Sequence, residues 1–228
     1  MTVHVAFVPA EEAAAPVGIV IDVVRATSSI AQALASGYER VVCCREIDEA
    51  LALRAELGDE AVVGGERNGI VVPGFDVGAS PRDFAAGPRA ATLILSTTNG
   101  TATILAAADR CDTVLIGSLR NLSAVCAAAR ASGGDVAVFC AGFKGAFAFD
   151  DAYCAGRVVD SLGVERSDAA DAAARIAASF DSPLEALNTR TYGPPGLEAD
   201  IEFCAEVDKL DVVPRFTRML GSAAEVLG

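Results

Sequence analysis

The feature that most constrains the fold is a pattern of strands and helices that occurs twice along the chain. The segment IVIDVVRATSSIAQALASGYERVVCC aligns with LILSTTNGTATILAAADRCDTVLIG, and REIDEALALRAELGDEAVVGGE aligns with RNLSAVCAAARASGGDVAVFCAG. Each copy predicts a β-α-β-α-β unit, over approximately residues 18–66 and 91–142. Strands that alternate with helices favour a sheet covered by helices on both faces. We therefore predict a single three-layer α/β/α domain over residues 1–228, with a mostly parallel or mixed sheet and two related halves.

The hydrophobic periods give the individual elements of this fold. Strands are predicted at 3–9, 18–24, 40–44, 60–66, 91–96, 113–117 and 135–142, with a final extended piece at 212–216. Helices are predicted at 27–36, 47–58, 101–110, 122–134, 150–162, 167–180 and 200–208. The loop 67–81 is longer than most connections in a compact domain, which favours a functional role for it.

The composition limits the classes of partner. The chain has 18 Lys and Arg against 31 Asp and Glu, a formal net charge of −13, which argues against nucleic acid but allows a small anionic substrate. No apolar stretch is long enough to span a membrane, and the N-terminus shows no secretory signal. Seven cysteines, two of them adjacent, do not resemble a disulfide framework. We expect a cytoplasmic protein. An apolar chain of this size is also compatible with a homodimer.

The segment STTNGT (96–101) allows two interpretations. Its Asn-Gly pair between apolar runs favours a β-hairpin, whereas hydroxyls and a glycine between a strand and a helix favour an oxyanion site. The counterpart in the first half, residues 22–27, lies between a strand and a helix, so we favour the second interpretation. Turns that follow predicted strands lie at 22–27, 64–67, 97–101, 117–121 and 141–145. If the strands are parallel, these five turns converge on one edge of the sheet, where α/β proteins bind ligands.

The residues present disfavour several reaction classes. His4 is the only histidine, and the chain has no P-loop, no Cys-x5-Arg loop and no Cys-x2-Cys zinc motif. The carboxylates at strand ends and loops are Asp22, Glu66, Asp76, Asp150 and Asp151, and the nearby cations are Arg25, Arg67, Arg120 and Lys144. Carboxylates with water suit Mg²⁺ and arginine binds phosphate, which together are what phosphoryl transfer requires.

Each of these groups also has a purely structural interpretation. Asp22 and Arg25 can form a local ion pair, and Glu66 with Arg67 can be a solvated loop end. Asp150-Asp151 can complement a helix dipole, and the threonines of 97–101 can cap a helix. Lys144 can simply be exposed. The argument for a functional site is that these groups converge on one edge of a duplicated fold.

These segments, taken in order, resemble the 2-phosphosulfolactate phosphatase family. The resemblance rests on VIDVVRATSSIAQAL, GGERNG, GFDVGASP, STTNGT, IGSLRNLSAV, CAGFKGAFAFDDAYCAG and, more weakly, DIEFCAEVD with VVP, over roughly residues 18–214. It implies a three-layer α/β/α fold of two related halves. It also implies a Mg²⁺-dependent enzyme that hydrolyses the phosphate ester of 2-phospho-3-sulfolactate to sulfolactate, a step that serves coenzyme M biosynthesis in archaea.

The resemblance also implies a set of functional residues. The residues that lie in family motifs are Asp22, Arg25, Thr27, Glu66, Arg67, Asp76, Thr98, Asn99, Gly100, Gly142 and Asp151. In the leading hypothesis Asp22, Glu66 and Asp151 hold Mg²⁺ or orient water, and with Arg25 they are the catalytic residues. The substrate-binding candidates are Arg67, Thr27, Thr98, Asn99, Gly100, Gly142 and Lys144.

Two motifs differ from those of the family, and they support an alternative. The usual Gly-Asn-Ser-Pro is Gly78-Ala79-Ser80-Pro81 here, and the usual Glu-Asp pair is Asp150-Asp151. The alternative function is a non-catalytic binding module for a small sulfonate or phosphate metabolite.

For the catalytic hypothesis, attack by water and a covalent Asp22 intermediate both fit the residues, and water is preferred.

Overall fold

The structure, a computed structural model, describes all 228 residues and contains eleven strands and nine α-helices. The strands are β1 (Thr2–Ala6), β2 (Val17–Ile21), β3 (Arg40–Cys43), β4 (Ala61–Arg67), β5 (Ile70–Val71), β6 (Thr92–Ser96), β7 (Thr113–Gly117), β8 (Val136–Cys140), β9 (Glu165–Arg166), β10 (Arg215–Leu220) and β11 (Ala223–Leu227). The helices are α1 (Ala26–Ala35), α2 (Ile47–Leu57), α3 (Pro81–Ala85), α4 (Gly100–Ala108), α5 (Leu122–Ser132), α6 (Phe149–Leu162), α7 (Asp168–Ala178), α8 (Pro183–Asn188) and α9 (Glu198–Cys204).

All eleven strands form one mixed sheet, which confirms the predicted α/β class. The strand order is β5-β4-β6-β3-β11-β10-β7-β2-β8-β1-β9. Helices cover both faces. On one face, α1, α3 and α4 pack in a single apolar cluster around Ile30, Phe84 and Ile104. On the other face, α5, α6 and α7 cover β1, β2, β7 and β8, while α2 covers β3, β4 and β6. The result is the predicted three-layer arrangement.

The two repeated units are interlaced, because each places its first strand inside the other. Strand β6, the first of the second unit, pairs with β3 and β4, and β2, the first of the first unit, pairs with β7 and β8. All of these pairings are parallel. The helix that follows each exchanged strand, α1 or α4, must therefore lead the chain back to its own unit.

The two parallel blocks run in opposite directions. The C-terminal hairpin β10–β11 lies between them, and the pairings β7–β10, β10–β11 and β11–β3 are all antiparallel. A common edge of parallel strands is therefore not what brings the turns together. Instead α1 and α4 lie on the same face and meet at their N-termini. A Cβ added to Gly100 would lie only 2.5 Å from the Cβ of Ala26.

The structure also contains elements that the sequence patterns do not predict. The loop 67–81 carries the short strand β5, and α8 lies in a stretch without a clear period. The chain ends with the β10–β11 hairpin, whereas the sequence predicted a single extended piece at 212–216. Short elements have too few residues to show a hydrophobic period, so only their tertiary partners identify them. No helix combines the length and the apolar composition that a bilayer crossing requires.

Candidate active site

A cleft opens where the N-termini of α1 and α4 meet, and we call it the central cleft. It comprises about 480 Å³ of empty space, part of which is open solvent. Its polar lining side chains are Asp22, Arg25, Glu66, Thr97, Thr98, Asn99, Arg190 and Tyr192. Both repeated units therefore contribute to it, together with the segment between α8 and α9.

The turn after β2 places a carboxylate in the cleft at the start of α1. Oδ1 of Asp22 accepts a hydrogen bond from the N–H of Ala26 at 3.3 Å, while Oδ2 has no partner in the chain. The hydroxyl of Thr27 donates to the carbonyl of Asp22 at 2.9 Å and accepts from its N–H at 3.1 Å. Thr27 is fully buried and does not line the cleft, so its hydroxyl fixes the shape of the turn.

Arg25 is held in the cleft wall by acceptors other than Asp22. Its Nη1 donates to Oδ2 of Asp200 on α9 at 2.8 Å, and Nη2 approaches the carbonyl of Gly69 at 3.4 Å. Oδ1 of Asp200 in turn accepts from the hydroxyl of Ser80 at 2.6 Å. The side chain of Arg25 is only 11% exposed, so this network fixes it firmly. The local Asp22–Arg25 ion pair considered from the sequence is not formed.

The turn after β6 supplies neutral groups and holds Glu66. The N–H of Thr98 donates to Oε1 of Glu66 at 2.8 Å, and the hydroxyl of Thr98 donates to Oε2 at 3.2 Å. The N–H of Gly69 also donates to Oε2. Asn99 precedes α4 and its Oδ1 accepts from the N–H of Lys144 at 3.0 Å. The hairpin interpretation of this segment is wrong, because α4 starts directly at Gly100.

Gly100 allows the two turns to touch. A Cβ at this position would lie 2.8 Å from Oδ2 of Asp22, in addition to its close approach to Ala26. The N–H groups of Asn99 and Gly100 have no acceptor within the chain, as is usual in the first turn of a helix. Because Asn99 lines the cleft, the cleft combines a free carboxylate oxygen of Asp22 with the free N–H that precedes α4.

A third turn, after β8, is tied to the first through Asp151. Oδ1 of Asp151 accepts from the N–H of Val23 at 2.9 Å, and Oδ2 accepts from the N–H of Gly142 at 3.0 Å. Gly142 has a φ of +66°, and a Cβ there would lie 2.4 Å from the carbonyl oxygen of Ala146. Asp151 is buried, and neither it nor Gly142 lines the cleft.

Behind the cleft, Asp150 is covered by Tyr192. Oδ1 of Asp150 accepts hydrogen bonds from the hydroxyl of Tyr192 and from the N–H of Asp151. The ring of Tyr192 stacks on that of Phe143, with centroids 4.6 Å apart. Oδ2 of Asp150 accepts no hydrogen bond from the chain. Its carboxylate is thus screened from solvent but retains a free oxygen.

Burial of the carboxylates in this region makes their ionisation unfavourable. Burial, together with the charges of Asp150 and Glu66, raises the pKa of Asp22 to about 7. Burial also raises the pKa of Asp150 and, with the adjacent charge of Asp150, raises that of Asp151 well above its ordinary value. A concentration of acids that resist ionisation is typical of sites that bind a cation or exchange a proton.

Several residues predicted for the site lie elsewhere. Arg67 points away from the cleft and donates to the carbonyl of Arg45 and to the hydroxyl of Ser96, both at 2.8 Å. Lys144 is exposed, with its Nζ 5.4 Å from the ring centroid of Phe143. Asp76 accepts from the N–H of Val63 and pairs with Arg54, and Arg120 pairs with Glu206 and donates to Gln32 of α1, outside the cleft. Four of the five predicted turns therefore converge, and 117–121 does not.

Sequence reasoning missed three residues of this region, namely Arg190, Tyr192 and Asp200. Arg190 and Tyr192 lie in RTYGPPG, which reads only as a turn, and Asp200 lies in α9. The one available signal was an arginine and a tyrosine beside a Pro-Pro-Gly turn, since such loops often carry binding residues.

The carboxylates fit Mg²⁺ if substrate and water supply the other ligands. No group of three His, Cys, Asp or Glu side chains is arranged to hold a metal by itself. Both oxygens of Glu66 and of Asp151 are engaged by backbone N–H groups. Asp22 and Asp150, however, each keep one free oxygen. Mg²⁺ typically binds one or two carboxylates together with water and substrate phosphate, so Asp22, which lines the cleft and keeps a free oxygen, fits its requirements.

The fold is that of an α/β protein with a central cleft lined by carboxylates, arginines and the N-terminal turns of two helices. Comparison of sequences places the chain within one family of that class. A model of the family described as 2-phosphosulpholactate phosphatase matches residues 4–219. The chain belongs to this family, which confirms the resemblance seen in its motifs and makes it a member of a phosphatase family.

Curated relatives agree with this assignment. A protein of Thermus thermophilus named "Probable 2-phosphosulfolactate phosphatase" is 37% identical over 234 residues, which cover 98% of each chain. Proteins of the same name from Carboxydothermus hydrogenoformans and Symbiobacterium thermophilum are 38% and 35% identical. They cover 86% and 92% of this chain, and 84% and 94% of the relatives. The similarity therefore extends over nearly the whole fold.

Proposed function

We propose that this protein hydrolyses the phosphate ester of 2-phospho-3-sulfolactate, or of a similar 2-phospho-carboxylate, in a Mg²⁺-dependent reaction. The observation that carries the proposal is the meeting of two helix N-termini with Asp22 and Arg25 in one cleft. Family membership and the names of the relatives support the substrate class.

The phosphate would lie between the helix N-termini. The N–H groups of Asn99 and Gly100 are free to donate to its oxygens, and the dipole of α4 favours a negative charge there. Arg25 lines the same cleft, is held there by Asp200, and keeps N–H groups that no acceptor in the chain occupies. These groups stabilise the charge that spreads over the phosphoryl oxygens as the ester bond breaks.

Asp22 lines the cleft and is the residue that would hold Mg²⁺, with Asp150 behind it and Glu66 also in the lining. A bound Mg²⁺ would supply positive charge to the phosphoryl oxygens. The chain's own contribution is orientation. The N–H groups around Glu66 and Asp151 lock the turns, and the free oxygen of Asp22 would orient the attacking water.

Phosphate release tests the proposal directly. The purified protein is assayed on 2-phospho-3-sulfolactate, 2-phosphoglycolate and phospholactate, with Mg²⁺ and with EDTA. We expect release from at least the first substrate with Mg²⁺ and a loss of activity in EDTA. Absence of metal-dependent release from all three would contradict the proposal. Tight binding without turnover, measured by calorimetry, would instead identify a binding module.

We also propose that the protein acts in the cytoplasm. All seven cysteines are free thiols, and six of them are buried. Unpaired cysteines in this number are typical of a reducing compartment. Fractionation of the native cells with an antibody against the protein tests this assignment, and recovery outside the cytoplasmic fraction would contradict it.

A further inference from the structure

The central cleft contains two arginines, and only one of them is already paired. Arg25 donates to Asp200 and Gly69, as described above. Arg190 lines the same cleft but makes no salt bridge and no hydrogen bond with the chain. Its guanidinium lies 6.0 Å from the ring centroid of Tyr192. An arginine with five unpaired donors at the wall of an acidic cleft is available for an anionic ligand.

The segment that carries Arg190 is docked against the stretches that directly follow the two repeated units. Tyr192 stacks on Phe143 and donates its hydroxyl to Asp150, both from the second unit or just beyond it. On the other side, Pro194 lies so close to Gly69 that a Cβ on Gly69 would be 2.3 Å from the proline ring. Arg190 is therefore positioned by neighbours on either side of the cleft.

A substrate with two or three negative groups needs a second cation in this cleft. Asp22 and Glu66 line it and would repel a carboxylate or sulfonate, while the phosphate takes the helix N-termini and Arg25. Arg67 and Lys144, the cations expected from the sequence, do not line it. Arg190 is the one lining cation without an acceptor.

We propose that Arg190 binds the carboxylate or sulfonate of the substrate and so selects phosphate esters that carry a second anion. This inference rests on the proposed function. Arg190 would act on substrate affinity and leave bond cleavage to the groups around Asp22 and Arg25. The segment 189–197 is thus a specificity element added to the duplicated core.

Arg190→Gln tests this role, with Arg190→Lys as the conservative variant. For 2-phospho-3-sulfolactate and 2-phosphoglycolate we expect Arg190→Gln to lower kcat/KM by about 10- to 100-fold, mainly through KM. Arg190→Lys should recover part of the loss. With ethyl phosphate, which has no second anion, the variant should match the wild type. The matched control is Arg175→Gln, an exposed arginine on α7 that pairs only with Asp171.

A binding measurement separates this inference from the proposed function. Calorimetry compares sulfolactate, lactate, 2-hydroxyethanesulfonate and inorganic phosphate on the wild type and on Arg190→Gln. We expect about tenfold weaker sulfolactate binding in the variant and unchanged phosphate binding; lactate or 2-hydroxyethanesulfonate shows which anion Arg190 contacts. No turnover of any ester by the wild type would refute the proposed function. Equal sulfolactate affinity of wild type and variant, or equal losses on ethyl phosphate, would refute the role of Arg190.

Discussion

The turns after β2 and β6 occupy equivalent positions in the duplicated fold but have different chemistry. Helix α1 begins at Ala26 and α4 at Gly100, and the preceding residues Arg25 and Asn99 both line the cleft. Four residues before each helix, the first turn has Asp22 and the second has Ser96. Both turns present a helix N-terminus to the same point, so the backbone geometry is shared. The first turn adds a carboxylate and a guanidinium, and the second adds amide and hydroxyl groups.

This difference shows how a duplication can become a single asymmetric site. Ser96 points away from the cleft and holds Arg67, whereas Asp22 points into it. Two copies of the charged turn would place two carboxylates and two arginines at the point where Gly100 now touches Asp22. The small neutral turn therefore permits the charged one to approach.

The largest expected effect comes from removing the guanidinium of Arg25 from the first turn. Arg25→Ala should lower kcat/KM by about 10³-fold, because Arg25 is the buried guanidinium beside the phosphate position. Steady-state phosphate release measures the loss, and circular dichroism checks the fold. Activity near the wild-type level would reduce Arg25 to a structural partner of Asp200. Asp200→Asn is expected to give a smaller loss, since Arg25 would remain but be less firmly held.

The contact between the turns can be tested by adding one methyl group to the neutral one. Gly100→Ala would place its Cβ against Ala26 and Asp22, which should cost about 1–3 kcal/mol of unfolding free energy. Urea unfolding measures this change. Ala26→Gly in the same chain removes the nearer of the two contacts and should restore part of the stability. An unchanged midpoint in Gly100→Ala would show that the turns do not touch in solution.

A smaller effect is expected from removing one of the hydrogen bonds that the neutral turn donates to Glu66. Thr98→Val removes the hydroxyl donor to Oε2 but keeps the backbone N–H bond to Oε1. The loss of one hydrogen bond to a charged group predicts about a tenfold decrease in kcat/KM. Thr217→Val, far from the cleft on β10, is the matched control. A decrease as large as that of Arg25→Ala would mean that the two turns contribute equally.

The smallest expected effect concerns the pH dependence of stability. Asp22 ionises near its ordinary pKa of 3.8 in the unfolded chain but at about 7 in the folded chain. The folded state therefore binds this proton more tightly and loses stability as the pH rises from 4 through 7. In EDTA, the free energy of unfolding of Asp22→Asn should fall between pH 6 and pH 8.5 by about 1 kcal/mol less than that of the wild type. This difference corresponds to roughly 3 °C in Tm. Identical pH profiles of wild type and variant would show that Asp22 is not so perturbed.

The repeated hydrophobic pattern predicted the strands and helices of both units well because it extends over long segments. Both exchanged strands are buried throughout and both following helices carry a core isoleucine, Ile30 in α1 and Ile104 in α4. The interlacing itself has no local signal, since β2 would look the same in either block. The convergence of four turns was expected from a parallel sheet edge, but it arises because two antiparallel blocks bring α1 and α4 together.

Side-chain direction was the least predictable property. Arg67 and Lys144 stand next to residues of the site along the sequence, yet their side chains point to Ser96 and to solvent. Arg190 is far from those turns along the chain and lines the cleft. A residue's neighbours in sequence limit its position to a few ångströms, while a rotamer or a loop path decides which surface it reaches.

By itself the sequence determined the α/β class, the repeated order of strands and helices, and the strand-to-helix nature of both turns. These follow from hydrophobic periods and residue types, which act locally. Only the tertiary structure decided that the first strands are exchanged, that Gly100 touches Asp22, and that Arg190 is the free cation of the cleft. Those facts depend on packing between segments about 30 to 170 residues apart, and no local pattern specifies which distant surfaces come into contact.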